Sequence, residues 1–183
     1  MIEGIHYKIY DNFLPEDAHN IISTNLLSAN FPWYYRDSIL ATSYHTTSIK
    51  SIDDFAFAHV FYDNNTQNSQ LFSILDPILK KINPLSILRI KANLYPRTET
   101  IVEHDYHTDY ENVKFKTAMY YVNDNNGKTI FKDGLIVDSV ANRFVEFNTD
   151  ILHKSTTCTD QRVRCNINFN YVPYPKKAVL QEE

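Results

Sequence analysis

The segment Arg162-Val163-Arg164-Cys165-Asn166-Ile167-Asn168-Phe169-Asn170-Tyr171 constrains the fold more than any other in the chain. Strand side chains alternate between faces, so Val163, Cys165, Ile167, Phe169 and Tyr171 fall on one side and Arg162, Arg164, Asn166, Asn168 and Asn170 on the other. The apolar side must pack on a core. The opposite side, made only of arginine and asparagine, has to face solvent or a wet polar cavity, since polar groups are costly to bury unpartnered.

Strand-like runs recur around it, at Ile87–Tyr95, Lys114–Val122, Lys128–Phe131, Leu135–Val137 and Arg143–Phe147, punctuated by Asn, Asp and the two later glycines. The first half reads differently. A short strand at Ile5–Tyr10 leads through Pro15, Glu16 and Asp17, which suit a helical first turn, into helical spacing at Ala18, Ile21, Ile22 and Leu26. The cluster Phe31-Pro32-Trp33-Tyr34-Tyr35 reads as a hydrophobic lid over the core, with a substrate platform as the alternative. A loop is expected over Ser43–Asp53, then a strand over Phe55–Tyr62. Leu71, Phe72, Leu75, Ile78, Leu79 and Ile82 predict a helix from about Gln67 to Ile82, which Pro77 must start, kink or split. The pattern predicts an α+β, mainly β protein: helical and strand support over 1–84, a β core over 85–173, and a frayed tail over 174–183.

At 183 residues the chain suits a single domain with one well-filled core. With 43% apolar residues, 13 Tyr, 11 Phe and only 3 Gly, it has the composition of a strand-rich folded protein. A formal charge of −4 argues against nucleic acid or an anionic membrane as partner. No basic leader with an apolar run opens the chain and no stretch is long enough to span a bilayer, so a soluble, cytoplasmic protein is expected. Cys158 and Cys165 make neither a disulfide framework nor a paired zinc motif; both are read as reduced, with Cys165 in the core. Nothing in the sequence fixes an oligomeric state.

The chemistry concentrates in Glu103-His104-Asp105-Tyr106-His107-Thr108-Asp109-Tyr110. On an extended strand His107 and Asp109 project from one face and can grip one ion. His153, just after an apolar strand, offers a third donor. Two histidines and one carboxylate with positions left open form the facial triad of non-haem Fe(II) enzymes. His104 lies three positions from His107 and falls on the opposite face; His6, His19, His45 and His59 lack a metal-spaced partner. Glu111 shares the parity of His107 and Asp109 and could complete a cupin-like set, which would leave Asp109 without a role.

His107-Thr108-Asp109, His153 and Arg164 together resemble the His-x-Asp…His…Arg signature of the 2-oxoglutarate and Fe(II) dependent oxygenases, particularly the prolyl-4-hydroxylase-like branch. Asn93-Leu94-Tyr95-Pro96 resembles that branch's Tyr-Pro strand, and Lys116-Thr117-Ala118-Met119-Tyr120-Tyr121-Val122-Asn123 its Thr-x-x-Tyr-Tyr-Leu-Asn strand. Asn126-Gly127-Lys128-Thr129-Ile130-Phe131 is similar to the family's glycine turn before a strand, and Asn142–Phe147 to the strand before its distal histidine. Arg164-Cys165-Asn166-Ile167-Asn168-Phe169 resembles the Arg-x-Asn-x-Thr-x-Arg strand of the nucleic-acid demethylase branch. The likeness covers about residues 87 to 172.

The resemblance implies a double-stranded β-helix (jelly-roll) core buttressed by N-terminal helices. It implies Fe(II) on His107, Asp109 and His153, and 2-oxoglutarate anchored by Arg164 with Tyr95, Tyr121, Asn166, Thr117 and Met119 around it. Arg162 has the parity of Arg164 and is its rival as anchor; the register of the following strand favours Arg164. O2 would be the oxidant and ascorbate a stimulant. The implied reaction is hydroxylation of an unactivated C–H bond, with a prolyl or other amino-acid side chain in a peptide as first candidate and a free amino acid or other small molecule, a nucleobase included, as alternatives. The carboxylate ligand Asp109 leaves no metal position for a halide, which favours hydroxylation over halogenation. Trp33, Tyr34, Tyr35, Phe61, Tyr62, Tyr106 and Tyr110 are candidates for the mouth of the site. Two rival readings are a non-catalytic jelly-roll binding module and a cupin-type metalloenzyme that ignores 2-oxoglutarate.

Overall fold

The computed structural model of the chain describes residues 2–3, 7–39, 52, 55–110 and 115–174. Within them the strands are β1 (Ile2–Glu3), β2 (Tyr7–Tyr10), β3 (Tyr34–Arg36), β4 (Ala56–Asp63), β5 (Thr66–Gln67), β6 (Pro84–Pro96), β7 (Lys116–Tyr121), β8 (Asn125–Phe131), β9 (Ile136–Ser139), β10 (Phe144–Asn148), β11 (His153–Ser155) and β12 (Val163–Pro173). The helices are α1 (Glu16–Leu26) and α2 (Asp76–Ile82), the latter preceded by a 3₁₀ turn at Phe72–Leu75.

β12 sits near the middle of the larger sheet, hydrogen-bonded antiparallel to β6 on one side and β7 on the other. The full order is β1-β2-β10-β7-β12-β6-β4-β3, with β5 on the edge of β4. A smaller sheet, β11-β8-β9, faces part of it. Two packed antiparallel sheets with helices on the outer face are the mainly β architecture that the strand pattern predicts and the jelly roll that the family resemblance implies.

Strand parity divides the structure into two cores. Outward from the large sheet, Ile90 and Ala92 of β6, Ala118 and Tyr120 of β7, Phe144 of β10 and Cys165, Ile167, Phe169 and Tyr171 of β12 pack under Ile22 and Leu26 of α1 and Ile78 of α2. Each fully buried side chain of this kind contributes about 1.5–3 kcal/mol. Inward, Met119, Tyr121, Val145 and Phe147 meet Phe131 and Val137 of the small sheet. The polar side of β12 also points inward, and Arg164, Asn166, Asn168 and Asn170 are all buried. The polar alternation therefore marks a cavity wall; a solvent-facing edge is excluded because β12 has strands on both sides.

Three expectations need correction. The helix expected from Gln67 begins only at Asp76: Thr66 and Gln67 pair with Asp63 and Tyr62, and the 3₁₀ turn ends where Pro77 can occupy the first turn of α2. Apolar spacing alone could not see that hairpin. The aromatic segment after α1 is no single lid, for Phe31 and Trp33 pack into the outer core while Tyr34 and Tyr35 lie exposed on β3. Phe61 and Tyr62 likewise belong to the outer core and not to a site mouth. Cys158 and Cys165 are free and buried, as expected. All of the loop at 43–53 but Ile52, most of the tail, and His6, His45 and Glu111 lie outside the described residues.

Candidate metal centre

His153 opens β11, opposite Phe131 of β8. On its other side His107 forms an isolated antiparallel bridge, with His107 N–H donating to the His153 carbonyl at 2.9 Å and His153 N–H donating to the His107 carbonyl at 3.0 Å. This reciprocal pair holds the two imidazoles side by side, ring centroids 4.5 Å apart. Beyond His107 the backbone leaves strand geometry, so the expected strand carrying both His107 and Asp109 is not formed. Asp109 is brought back by its side chain instead. Its Oδ2 accepts from Thr117 Oγ1 at 2.8 Å, Asn170 Nδ2 at 3.0 Å and Asn168 Nδ2 at 3.1 Å. Its Oδ1 faces the Arg89 guanidinium at 3.5 Å.

One donor atom from each of His107, Asp109 and His153 lies within 4.8 Å of the others. The tautomers suit a metal. His153 Nδ1 donates to the Ile151 carbonyl at 2.9 Å and His107 Nδ1 faces the Asp105 carbonyl at 3.4 Å, leaving each Nε2 lone pair for an ion. Burial, and then the neighbouring His153, push His107 down to about 4, so it is neutral and able to ligate at neutral pH. Burial alone would raise the Asp109 carboxyl, but His153, Arg89, His107 and Asn168 hold it well below the usual range. Phe131 and Phe147 wall the buried His153 ring.

Arg164 is fully buried. Its Nε donates to Ser139 Oγ at 2.8 Å, one terminal nitrogen to Thr129 Oγ1 at 3.1 Å and the other to the Thr156 carbonyl at 3.3 Å. All three acceptors are neutral, and no carboxylate pairs with this guanidinium among the described residues. Tyr95 and Tyr121 flank it, ring centroids 5.4 and 5.9 Å away. Tyr121 donates to Thr129 Oγ1 at 2.7 Å, and Met119 Sδ lies 3.7 Å from the same oxygen. Gly127 makes the fit possible: a Cβ there would stand 2.5 Å from Arg164 Cδ and 2.8 Å from the Thr157 carbonyl. Arg162 is exposed and lines a separate surface groove beside Leu26 and Trp33.

Three buried polar atoms nearby have no hydrogen-bond partner among the described residues, Asn166 Nδ2, His104 Nε2 and Asn168 Oδ1. Asn166 uses its Oδ1 to accept from Asn93 at 3.1 Å. His104, no member of the triad, bonds through Nδ1 to Ser155 Oγ at 2.7 Å and lies against Tyr95. Burial, then Arg164 and His107, push it down to about 3. Thr117, read from the family pattern as a co-substrate contact, is bonded to Asp109 and to Thr149. Of the mouth candidates Tyr110 stands over Arg89 and Tyr106 over Lys154. His19 bonds Tyr120, and His59 bonds Pro32 and Ser69, so both are structural. Arg89, Asn168 and Asn170 are the site residues that sequence reasoning passed over. The signal for them was alternation, in β12 and again in Arg89, Lys91, Asn93 and Tyr95 of β6.

The fold is that of the 2-oxoglutarate and Fe(II) dependent oxygenases, prolyl-4-hydroxylases among them. A Pseudomonas putida prolyl-4-hydroxylase superposes with a TM-score of 0.58 at 13% identity, covering 92% of this chain and 94% of that one. A Trichoplax adhaerens prolyl hydroxylase, solved with a hypoxia-inducible-factor peptide fragment, gives 0.59 at 15% over 92% and 84%. SnoN, an epimerase of nogalamycin biosynthesis solved with Fe3+, alpha-ketoglutarate and nogalamycin RO, gives 0.59 at 10% over 97% and 85%. At these identities the likeness is one of fold. No family model matches the sequence, and no curated protein matches it. No helix among the described residues is long and apolar enough to cross a membrane.

Proposed function

We propose that the protein is an Fe(II)- and 2-oxoglutarate-dependent dioxygenase that hydroxylates an unactivated C–H bond. A prolyl or other amino-acid side chain in a peptide or protein is the first candidate substrate. The observation that carries this reading is Arg164, a fully buried cation with neutral partners only, on the same strand that holds the carboxylate of the metal triad through Asn168 and Asn170. A buried charge without a counter-ion is strongly unfavourable. A dicarboxylate that reaches from the triad to Arg164 supplies the missing charge.

The residues fit both groups. His107, Asp109 and His153 would hold the metal, and the unpartnered Nδ2 of Asn166 and Nε2 of His104 offer donors to an anionic ligand. Bound there, Fe(II) and 2-oxoglutarate supply the oxidative chemistry, in which O2 is consumed, succinate and CO2 are released and a hydroxyl is placed on the substrate. The chain itself binds and orients. Arg164 would hold the far carboxylate through its planar guanidinium, which Tyr95 and Tyr121 flank. Thr117, Asn168 and Asn170 fix the Asp109 rotamer, which sets the direction of its free lone pairs. Phe131 and Phe147 keep water from His153.

A binding module has no need of both a ligand triad and a buried unpaired arginine, and a cupin-type enzyme has no need of the latter. The deciding assay is succinate formation from 2-oxoglutarate in air with Fe(II) and ascorbate. Absence of turnover with peptide and amino-acid pools, together with absence of metal-dependent 2-oxoglutarate binding, refutes the reading. The gain of one oxygen atom in a pool member, seen by mass spectrometry, identifies the substrate.

A further inference from the structure

Beside the triad, β3, β4 and β6 enclose a cavity of about 180 Å³. Its wall carries three cations, Arg36 of β3 and Arg89 and Lys91 of β6, against one carboxylate, Asp63. The register ties it to the metal centre. Arg89 lies across from Asn170 and Lys91 across from Asn168, the two asparagines that hold Asp109. Cross-strand neighbours of this kind stand about 4.5–5.5 Å apart at Cα.

The cations differ in how far they are committed. Arg89 is engaged, facing Asp109 at 3.5 Å and bonding Asn170 Oδ1 at 3.2 Å. Lys91 is partly buried, and neither it nor Arg36 has a carboxylate or hydrogen-bond partner among the described residues. Burial, and next the charge of Arg89, push the Lys91 ammonium down to about 8, and the nearby Asp109 and Asp63 do not offset them. An ammonium crowded by arginines at the wall of a small cavity is stabilised most by an anion. A neutral substrate would add nothing to the partial compensation that Asp109 and Asp63 give this charge.

We propose that this cavity is the substrate subsite and that the substrate presents an anionic group, a carboxylate or a phosphate, to Lys91 and Arg36 beside the metal centre. The inference rests on the oxygenase reading and narrows it. A prolyl or other side chain on a neutral peptide segment would be a poor substrate; a free amino acid or a target residue with an acidic neighbour would be a good one.

The test uses the full chain loaded with Mn(II) and 2-oxoglutarate, which permits binding without turnover. Acetate, inorganic phosphate and the neutral control acetamide are titrated while the unfolding temperature is followed. The expected result is a saturable stabilisation by acetate or phosphate and none by acetamide. Lys91→Met and the exposed-site variant Arg36→Met should each weaken it at least tenfold. Preference between acetate and phosphate separates a carboxylate-bearing from a phosphate-bearing substrate. Equal stabilisation of both variants and wild type, which is what direct ligation of the metal by the probe would give, overturns the proposal, and so does absence of saturable binding. Failure of the metal-loaded protein to bind 2-oxoglutarate at all instead refutes the oxygenase reading, and is measured first on the same samples.

Discussion

Replacing Arg164 by methionine removes the fork and keeps most of the side-chain volume. In the free protein the loss is partly offset: Ser139 Oγ, Thr129 Oγ1 and the Thr156 carbonyl lose a donor, but the cost of an uncompensated buried charge disappears as well. With 2-oxoglutarate bound the balance changes, because the far carboxylate would be desolvated with no cation to meet it. Breaking one side of a buried, hydrogen-bonded pair costs about 3–5 kcal/mol. Taking the lower end, since Tyr95 and Asn166 remain, gives about 3 kcal/mol, or ~150-fold in Kd at 1.4 kcal/mol per decade. The assay is anaerobic calorimetric titration of the Fe(II)-loaded protein with 2-oxoglutarate, with metal affinity measured separately. Arg164→Met should leave metal binding within about threefold, and Arg162→Met, at an exposed position, should change neither affinity by more than about twofold. A co-substrate affinity within threefold of wild type in Arg164→Met, or an equal loss in Arg162→Met, would refute the assignment of the buried arginine as anchor.

Gly127→Ala places a methyl 2.5 Å from Arg164 Cδ and 2.8 Å from a backbone carbonyl that cannot move cheaply, so it should cost about 1–3 kcal/mol of stability and weaken 2-oxoglutarate binding with little effect on the metal. Thermal unfolding and the same titration check both. Asn168→Ala removes one of the donors that fix Asp109 and should lower metal affinity ~10–100-fold, measured by competition with a chelator; an unchanged affinity would mean that Thr117 and Asn170 suffice. The metal-free protein should lose stability on acidification. His104 and His107 are pushed down to about 3 and about 4, so the unfolded chain takes up protons first as the pH falls below about 6.5 and draws the equilibrium toward itself until about pH 4 for His107 and about pH 3 for His104. Urea midpoints across that window should fall with pH, and His104→Phe should flatten the fall; a flat wild-type profile contradicts neutral burial of both rings.

The two sheet faces were legible in the sequence at β12, whose alternation gave both the outer core and the polar wall, while β7 and β10 are buried on both faces and carry no such contrast. His107, Asp109 and His153 were singled out together for a different reason: the His-x-Asp spacing, common by itself, stands with a later histidine, an arginine strand and two tyrosine strands. Asp109 does meet the two histidines, but not for the reason expected, since strand parity holds at His107 and fails after it. What holds Asp109 is a set of hydrogen bonds from residues 8, 59 and 61 positions away, and no local pattern encodes those. The choice between Arg162 and Arg164 was likewise beyond parity; it depends on where β12 enters the sheet, and the strand begins at Val163. The hairpin at Thr66–Gln67 escaped because two paired residues carry too little pattern to compete with an apolar stripe.

β12 connects the buried Arg164 to the His107-Asp109-His153 cluster through its register. Arg164 lies across from Tyr95, Asn166 from Asn93, Asn168 from Lys91 and Asn170 from Arg89, so the inner face of the β12–β6 pair runs from the buried guanidinium to the groups that hold Asp109. A slip of one residue would send Arg164 and three asparagines into the apolar layer beneath α1 and α2, and would bring Cys165, Ile167 and Phe169 to the metal. Every residue of the strand would then be on the wrong side, which makes this register strongly determined by burial alone. The irregularity at Asn170/Tyr171 comes only after the last asparagine has reached Asp109, so it bends the strand without disturbing the site. The same packing that stabilises the fold therefore sets the distance between Arg164 and the groups that hold Asp109. Substitutions in the outer core under Ile167 or Phe169 should alter 2-oxoglutarate affinity only if they shift that register, and otherwise should cost stability alone.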